Sequence, residues 1–90
     1  MLKLYQKKEF KKTLKKYRHK PKVLNELDKV VELLIHEQVL PVKYRDHELS
    51  GNFKGVRELH LFPDDLLMYV KIEKESVTLL AIGSHAELFG

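Results

Sequence analysis

The stretch Val56-Arg57-Glu58-Leu59-His60-Leu61-Phe62-Pro63-Asp64-Asp65-Leu66-Leu67-Met68-Tyr69-Val70-Lys71-Ile72-Glu73-Lys74-Glu75-Ser76-Val77-Thr78-Leu79-Leu80-Ala81-Ile82 decides the fold. Val56 to Leu61 alternates, so a strand there places Val56, Glu58 and His60 on one face and Arg57, Leu59 and Leu61 on the other. Leu66 to Ile72 reads as a continuous apolar strand of the kind buried on both faces, and Val77 to Ile82 as a third. Phe62-Pro63-Asp64-Asp65 has turn chemistry, with proline presetting the first central position, and Glu73 to Ser76 makes the next turn. Connections this short make the three strands an antiparallel meander.

Upstream, Leu2 to Tyr5 is a short apolar-alternating entry, and from Gln6 the period becomes helical. Phe10, Leu14 and Tyr17 fall on one narrow arc, while Lys7, Lys8, Lys11, Lys12, Lys15, Lys16 and Arg18 sweep the next half-turn. Pro21 punctuates this helix. A second helix, from Pro21 or Lys22 to Glu37, carries Val23, Leu24, Leu27, Val30, Val31, Leu34 and Ile35 on a wide stripe. The expected architecture is α+β, in the order β-α-α-β-β-β: a helical hairpin on one face of a small, mainly antiparallel sheet, with the other face left for a site. Residues 38 to 55, with Pro41, Gly51 and Gly55, read as a long connection without a period, and such loops are usually functional. At 90 residues the chain is expected to form a single domain, 1–90.

The net charge of +4 hides a division. Residues 1 to 22 hold ten Lys or Arg against the single acid Glu9, a balance of +9; residues 23 to 90 hold seven bases and twelve acids, a balance of −5. Positive charge concentrated in this way points to a polyanion, nucleic acid or a membrane surface. The longest apolar run, Leu66 to Val70, is far short of the ~18 residues that cross a bilayer, so no membrane partner is expected. The absence of cysteine rules out disulfides and thiolate metal sites and agrees with a cytoplasmic setting.

Five histidines are the main chemical resource. His19, in the basic turn, and His36, opposite the apolar stripe, read as solvated surface. His60 shares a strand face with Glu58, Asp64 follows at the turn tip, His85 lies where the chain leaves the third strand, and His47 sits in the long loop, which could fold it over the others. Taken singly, each reads as surface; placed together, imidazoles and carboxylates are the groups that move protons on and off oxygen. RNA cleavage needs a base for the 2′-hydroxyl, an acid for the leaving 5′-oxygen and cations for the phosphate. Arg45, Arg57 and the lysine face supply the cations, and Phe89 an aromatic on which a base could stack. No metal or other cofactor is expected, since HExxH is absent and no helix offers a ligand pair. Neither GxxxxGK[ST] nor GxGxxG occurs, and Ser50 and Ser84 lack a nucleophile-elbow context.

Three blocks, Tyr44-Arg45-Asp46-His47-Glu48-Leu49-Ser50-Gly51, Gly55-Val56-Arg57-Glu58-Leu59-His60 with Pro63-Asp64, and Gly83-Ser84-His85-Ala86-Glu87-Leu88-Phe89, resemble the YafQ branch of the RelE/ParE toxin superfamily. The resemblance implies a RelE-like fold and a type II toxin that enters the ribosomal A site and cuts the message there. It also implies a DinJ- or RelB-like antitoxin, with operator DNA bound only through the antitoxin complex. Transferred by position, the family's histidines fall on His47, His60 and His85, its acid on Asp64, its strand aspartate on Glu58 and its terminal aromatic on Phe89. An arginine common in the family is replaced by Ala81, leaving Arg45, Arg57 or a helix lysine to serve the phosphate. The expected division has Asp64 or His47 as base, His85 as acid, and His60 at the phosphate. The alternatives are a ParE-like gyrase inhibitor, which does not need the histidines, and a non-catalytic basic nucleic-acid-binding module, for which the lysine helix suffices.

Overall fold

In the computed structural model, which describes residues 1–90, the chain runs β1 (Lys3–Gln6), α1 (Lys8–Leu14), a 3-10 turn (Lys15–Tyr17), α2 (Pro21–Ile35), β2 (His47–Glu48), β3 (Arg57–Phe62), β4 (Asp65–Ile72), β5 (Ser76–Gly83) and α3 (His85–Phe89). Further 3-10 turns occupy Val42–Tyr44 and Gly51–Phe53. The sheet has five strands in the order β1-β5-β4-β3-β2. The meander β3-β4-β5 is antiparallel throughout, and β2 adds to β3 antiparallel. β1 closes the far edge by pairing parallel with β5, Lys3 opposite Ser76 through Gln6 opposite Leu79. No helix is long and apolar enough to cross a membrane.

The hairpin of α1 and α2 covers one face of the sheet. Phe10 and Tyr17, with Val23, Leu27, Val30 and Leu34 of α2, pack in one cluster with Leu59, Leu61, Leu67, Tyr69, Val77, Leu79 and Ile82. The alternation read from β3 therefore holds: Leu59 and Leu61 enter this core while Glu58 and His60 lie on the opposite face. β4 is buried on both faces only from Leu66 to Tyr69; Lys71 and Ile72 run out toward solvent. Leu66, Met68 and Ala81 are buried outside the hairpin-side cluster and form an apolar floor beneath the open face.

Three local differences from the expected arrangement have physical reasons. The first helix is shorter than its cationic stripe, tightening into the 3-10 turn at Lys15, and Pro21 occupies the first turn of α2, where its missing N–H costs nothing. At the end of α2, Glu37 takes a left-handed conformation (φ 54°). Its N–H donates to the Leu34 carbonyl and that of Gln38 to the Leu33 carbonyl, which ends the helix on satisfied carbonyls. The connection 38–55 is not structureless, since β2 anchors its middle. A strand of only two residues is too short to show a period.

Candidate active site

β3 and its neighbours assemble the site. Strand alternation brings Glu58 and His60 to the open face, and the β2–β3 register sets His47 directly opposite Glu58. Glu58 is almost fully buried, with its Oε1 3.5 Å from His60 Nε2 and 3.9 Å from His47 Nε2. The β3–β4 turn presents Asp64, and α3 presents His85. The three imidazoles form a row, with ring centroids 6.3 Å apart for His47 and His60 and 5.7 Å for His60 and His85.

Each ring is held at Nδ1 by an oxygen. His47 Nδ1 lies 2.7 Å from the Arg45 carbonyl, His60 Nδ1 3.3 Å from the Pro63 carbonyl, and His85 Nδ1 3.0 Å from Asp64 Oδ1. A carbonyl or an ionised carboxylate can only accept, so in each case Nδ1–H donates and Nε2 is the nitrogen left for chemistry. Asp64 Oδ1 also accepts the main-chain N–H of His85 at 3.0 Å. That main-chain bond, followed by the ring bond, holds the Asp64 carboxyl below the usual carboxylate range.

α3 is placed by a capping box: Ser84 Oγ accepts the Glu87 N–H at 3.1 Å, and Glu87 Oε1 accepts the Ser84 N–H at 2.9 Å. Gly83 allows this helix its close approach, because a Cβ there would meet Glu87 Oε1 at 3.2 Å. The Ser84-x-x-Glu87 spacing was present in the sequence and is the signal that reveals α3. At the other end of α3, Phe89 lies 6.3 Å from His85 and edge-to-face with Phe53 at 5.7 Å. Both aromatics remain about two-fifths exposed. Phe53 was not singled out in the sequence, because nothing in the 3-10 turn Gly51–Phe53 marks it as a neighbour of residue 89.

The cations divide into two groups. Arg57 is paired with Asp46, with Nη2 and Nε 2.7 and 3.2 Å from Oδ2. This ion pair raises the Arg57 pKa and ties β3 to the connection before β2, leaving the remaining guanidinium donors in a partly exposed side chain. Tyr69, buried in the core, donates its hydroxyl to the other oxygen of Asp46. Arg45 has no ion pair and lines, with Lys43, Glu26, His60, Phe62 and Pro63, a cleft of about 310 Å³ beside the histidine row. His47 is thus not on a loop that folds over the site but on a strand tied down from both faces. Lys7, Lys8, Lys11, Lys12, Lys15, Lys16 and Arg18 are all exposed. Lys16 reaches α3 through Glu87, 3.5 Å away. His19 and His36 are surface residues, bonded to Arg18 and Glu32 respectively.

A five-stranded α+β domain with its hairpin on one face and an acid-imidazole row on the other has the RelE-like architecture of small type II toxins. Residues 2–90 match the family described as bacterial toxin of type II toxin-antitoxin system, YafQ, and the chain belongs to that family. It is 36% identical over 83 residues to the mRNA interferase toxin YafQ of Escherichia coli K12, covering 91% of this chain and 89% of that one. A metal-bound toxin from Helicobacter pylori superposes with a TM-score of 0.89 at 44% identity over 99% of this chain and all of that one. A chain of the E. coli DinJ-YafQ complex superposes with a TM-score of 0.87 at 33% identity, covering both chains in full.

The H. pylori protein raises the question of a metal here. Glu58, His60 and His85 each offer one donor atom, all within 4.8 Å of one another. A carboxylate and two imidazoles suit a borderline cation such as zinc or copper, so these residues could hold one. The expectation of no metal rested on the lack of a helical ligand pair. That criterion overlooks a set drawn from β3 and α3, distant in sequence and joined only by the fold.

Proposed function

We propose that this chain is an mRNA interferase that cuts messages in the ribosomal A site by acid-base attack of the 2′-hydroxyl. The observation that carries this reading is the row of three imidazoles, each bonded to an oxygen at Nδ1 and set beside the carboxylates of Glu58 and Asp64. His47 Nε2 takes the proton from the 2′-hydroxyl, and the 2′-oxygen bonds to phosphorus. The bond from phosphorus to the 5′-oxygen breaks, and protonated His85 delivers its Nε2 proton to that oxygen, giving a 2′,3′-cyclic phosphate and a 5′-hydroxyl. Asp64, bonded twice to His85, orients that ring rather than acting as the base. Buried Glu58 faces His60, whose protonated ring, with Arg45 alongside, stabilises charge on the phosphate oxygens.

A bound cation at Glu58, His60 and His85 would supply Lewis-acid polarisation; the proton transfers and phosphate charge above fall to His47, His85, His60 and Arg45. Phe89 and Phe53 hold a neighbouring base. The amino-terminal lysines hold the ribosome and its RNA, residues 1–90 act as one domain, and the setting is the cytoplasm. A DinJ-like antitoxin silences the toxin, and operator DNA is met only through that complex. The histidine row, which a gyrase inhibitor or a basic docking module would not need, favours the nuclease reading. Purified ribosomes programmed with message test it: the chain cuts, and His47→Ala and His85→Ala do not. Cleavage by both variants at the parental rate overturns the reading.

A further inference from the structure

Asp46 is the residue whose contacts the reaction scheme leaves unused. Its side chain is largely buried and receives three bonds from two strands: Arg57 Nη2 and Nε on Oδ2, and the Tyr69 hydroxyl on Oδ1. Arg57 and Tyr69 are direct register partners across β3 and β4, so Asp46 is clamped to a rigid, paired platform. Asp46 and His47 are consecutive and point to opposite sides of the sheet edge. The carboxylate binds on the hairpin side, and the imidazole lies over the open face beside Glu58.

Immediately before Asp46, Arg45 caps the 3-10 turn Val42–Tyr44 in a left-handed conformation (φ 48°, ψ 41°) that is uncommon for a non-glycine residue. This bend turns the Arg45 carbonyl toward His47 Nδ1, 2.7 Å away. The strand pairs over only two residues, His47 and Glu48, with one further main-chain bond from the Leu49 N–H to the Val56 carbonyl. The bend keeps a local bond of its own, from the Arg45 N–H to the Val42 carbonyl at 2.9 Å, and the Asp46 clamp is what ties it to β3 and β4.

We infer that Asp46 is the positioning residue for His47: clamped by Arg57 and Tyr69, it holds the Arg45 bend whose carbonyl fixes His47 as the Nδ1–H tautomer with Nε2 unprotonated toward the substrate. A free neutral imidazole in water favours the opposite tautomer, with the proton on Nε2 and no basic nitrogen facing the site. The assignment of a tautomer stands on the hydrogen bonds alone; its consequence for catalysis rests on the reading of His47 as the base.

The test combines a spectroscopic and a kinetic measurement on the full chain. Long-range 1H–15N correlation of the neutral His47 ring is expected to report a protonated Nδ1 and a bare Nε2 in the parent. Tyr69→Phe, which removes one bond and keeps the core volume, and Asp46→Asn, which presents an amide to Arg57, are expected to move the ring signals toward the Nε2–H form. On programmed ribosomes both should lower kcat by about 10–100-fold with KM little changed, and Asp46→Glu, which keeps the carboxylate, should recover part of the loss. If Asp46→Asn does not fold, Tyr69→Phe alone decides. Ring signals unchanged in a folded variant overturn the inference, whatever happens to the melting temperature. If the signals shift as expected but His47→Ala cuts normally, the tautomer assignment stands and the reading of His47 as base fails.

Discussion

Asp64 Oδ1 is shared by two nitrogens of one residue, lying 3.0 Å from the main-chain nitrogen of His85 and 3.0 Å from its Nδ1. A single carboxylate therefore fixes both where the last helix begins and which way its first side chain turns. Because these bonds hold the Asp64 carboxyl below its ordinary value of 3.8, it is ionised across the neutral range, and whatever it contributes is lost only as the pH falls through that depressed value. Asp64→Asn is thus expected to lower message cleavage at pH 7 about 10–100-fold. Single-turnover cleavage on programmed ribosomes checks this. Cleavage at the parental rate in the variant would mean that the carboxylate does not orient His85.

Phe53 and Phe89 make a corner with two exposed ring surfaces. Stacking of a base on an aromatic is worth about 1–3 kcal/mol. Phe53→Ala should raise KM for programmed ribosomes about tenfold, kcat should change little, and Phe53→Trp should restore binding. Quenching of a 2-aminopurine placed beside the cleavage site gives an independent reading of the same contact.

The lysine face predicts a salt effect separable from chemistry. Replacing Lys11, Lys12 and Lys15 with Gln should weaken RNA binding and flatten the dependence of log affinity on log salt by about 0.7 for each single-strand phosphate contact removed. The rate of the bound complex should be unchanged. Affinity titrations at several salt concentrations, beside single-turnover cleavage, measure both.

Glu26 ties α2 to the chain before β2, accepting the hydroxyl of buried Tyr44 and facing Lys43 Nζ at 3.3 Å. The Tyr44 bond, opposed by burial and aided by Lys43, keeps the Glu26 carboxyl below its ordinary value of 4.5, while burial and the same bond push Tyr44 up to about 12. A lowered carboxylate stabilises the fold fully above its unfolded value, and that contribution disappears as the pH drops through the folded value. Glu26→Ala, which leaves the Tyr44 hydroxyl unpaired, should cost about 1–3 kcal/mol at pH 7. The gap between its urea midpoint and the parent's should narrow, without closing, as the pH falls through the folded value of Glu26.

A cation held by Glu58, His60 and His85 would occupy nitrogens that the proposed reaction uses. Chelator-treated toxin should therefore cut at its full rate, added zinc or copper should inhibit, and Glu58→Gln should raise the concentration needed. Cleavage that required added metal would reverse this order.

The meander was legible because β3 alternates cleanly and its turns carry proline and acidic residues. The same alternation correctly separated Glu58 and His60 from Leu59 and Leu61. What the sequence withheld was pairing. The partner of Arg57, Asp46, lies eleven residues away across a strand edge, and nothing in either side chain announces the other. Tyr69 carries the signal that links them: a tyrosine inside an apolar strand needs a partner for its hydroxyl, and here that partner is Asp46 in the connection before β3. His47 seemed mobile for the same reason, since two residues of ladder leave no trace in a hydropathy pattern.

The parallel union of β1 with β5 has a consequence for how the protein comes into being. The first strand leaves the ribosome long before its partner and must wait, unpaired, for some seventy residues of intervening chain. Contacts between such distant segments close late. α3, with His85 and Phe89, follows directly on β5. Synthesis interrupted before the last strand therefore yields a chain with an open sheet and without His85 or Phe89, so under the proposed reading the cell that makes this toxin meets its activity only after the sheet has been completed.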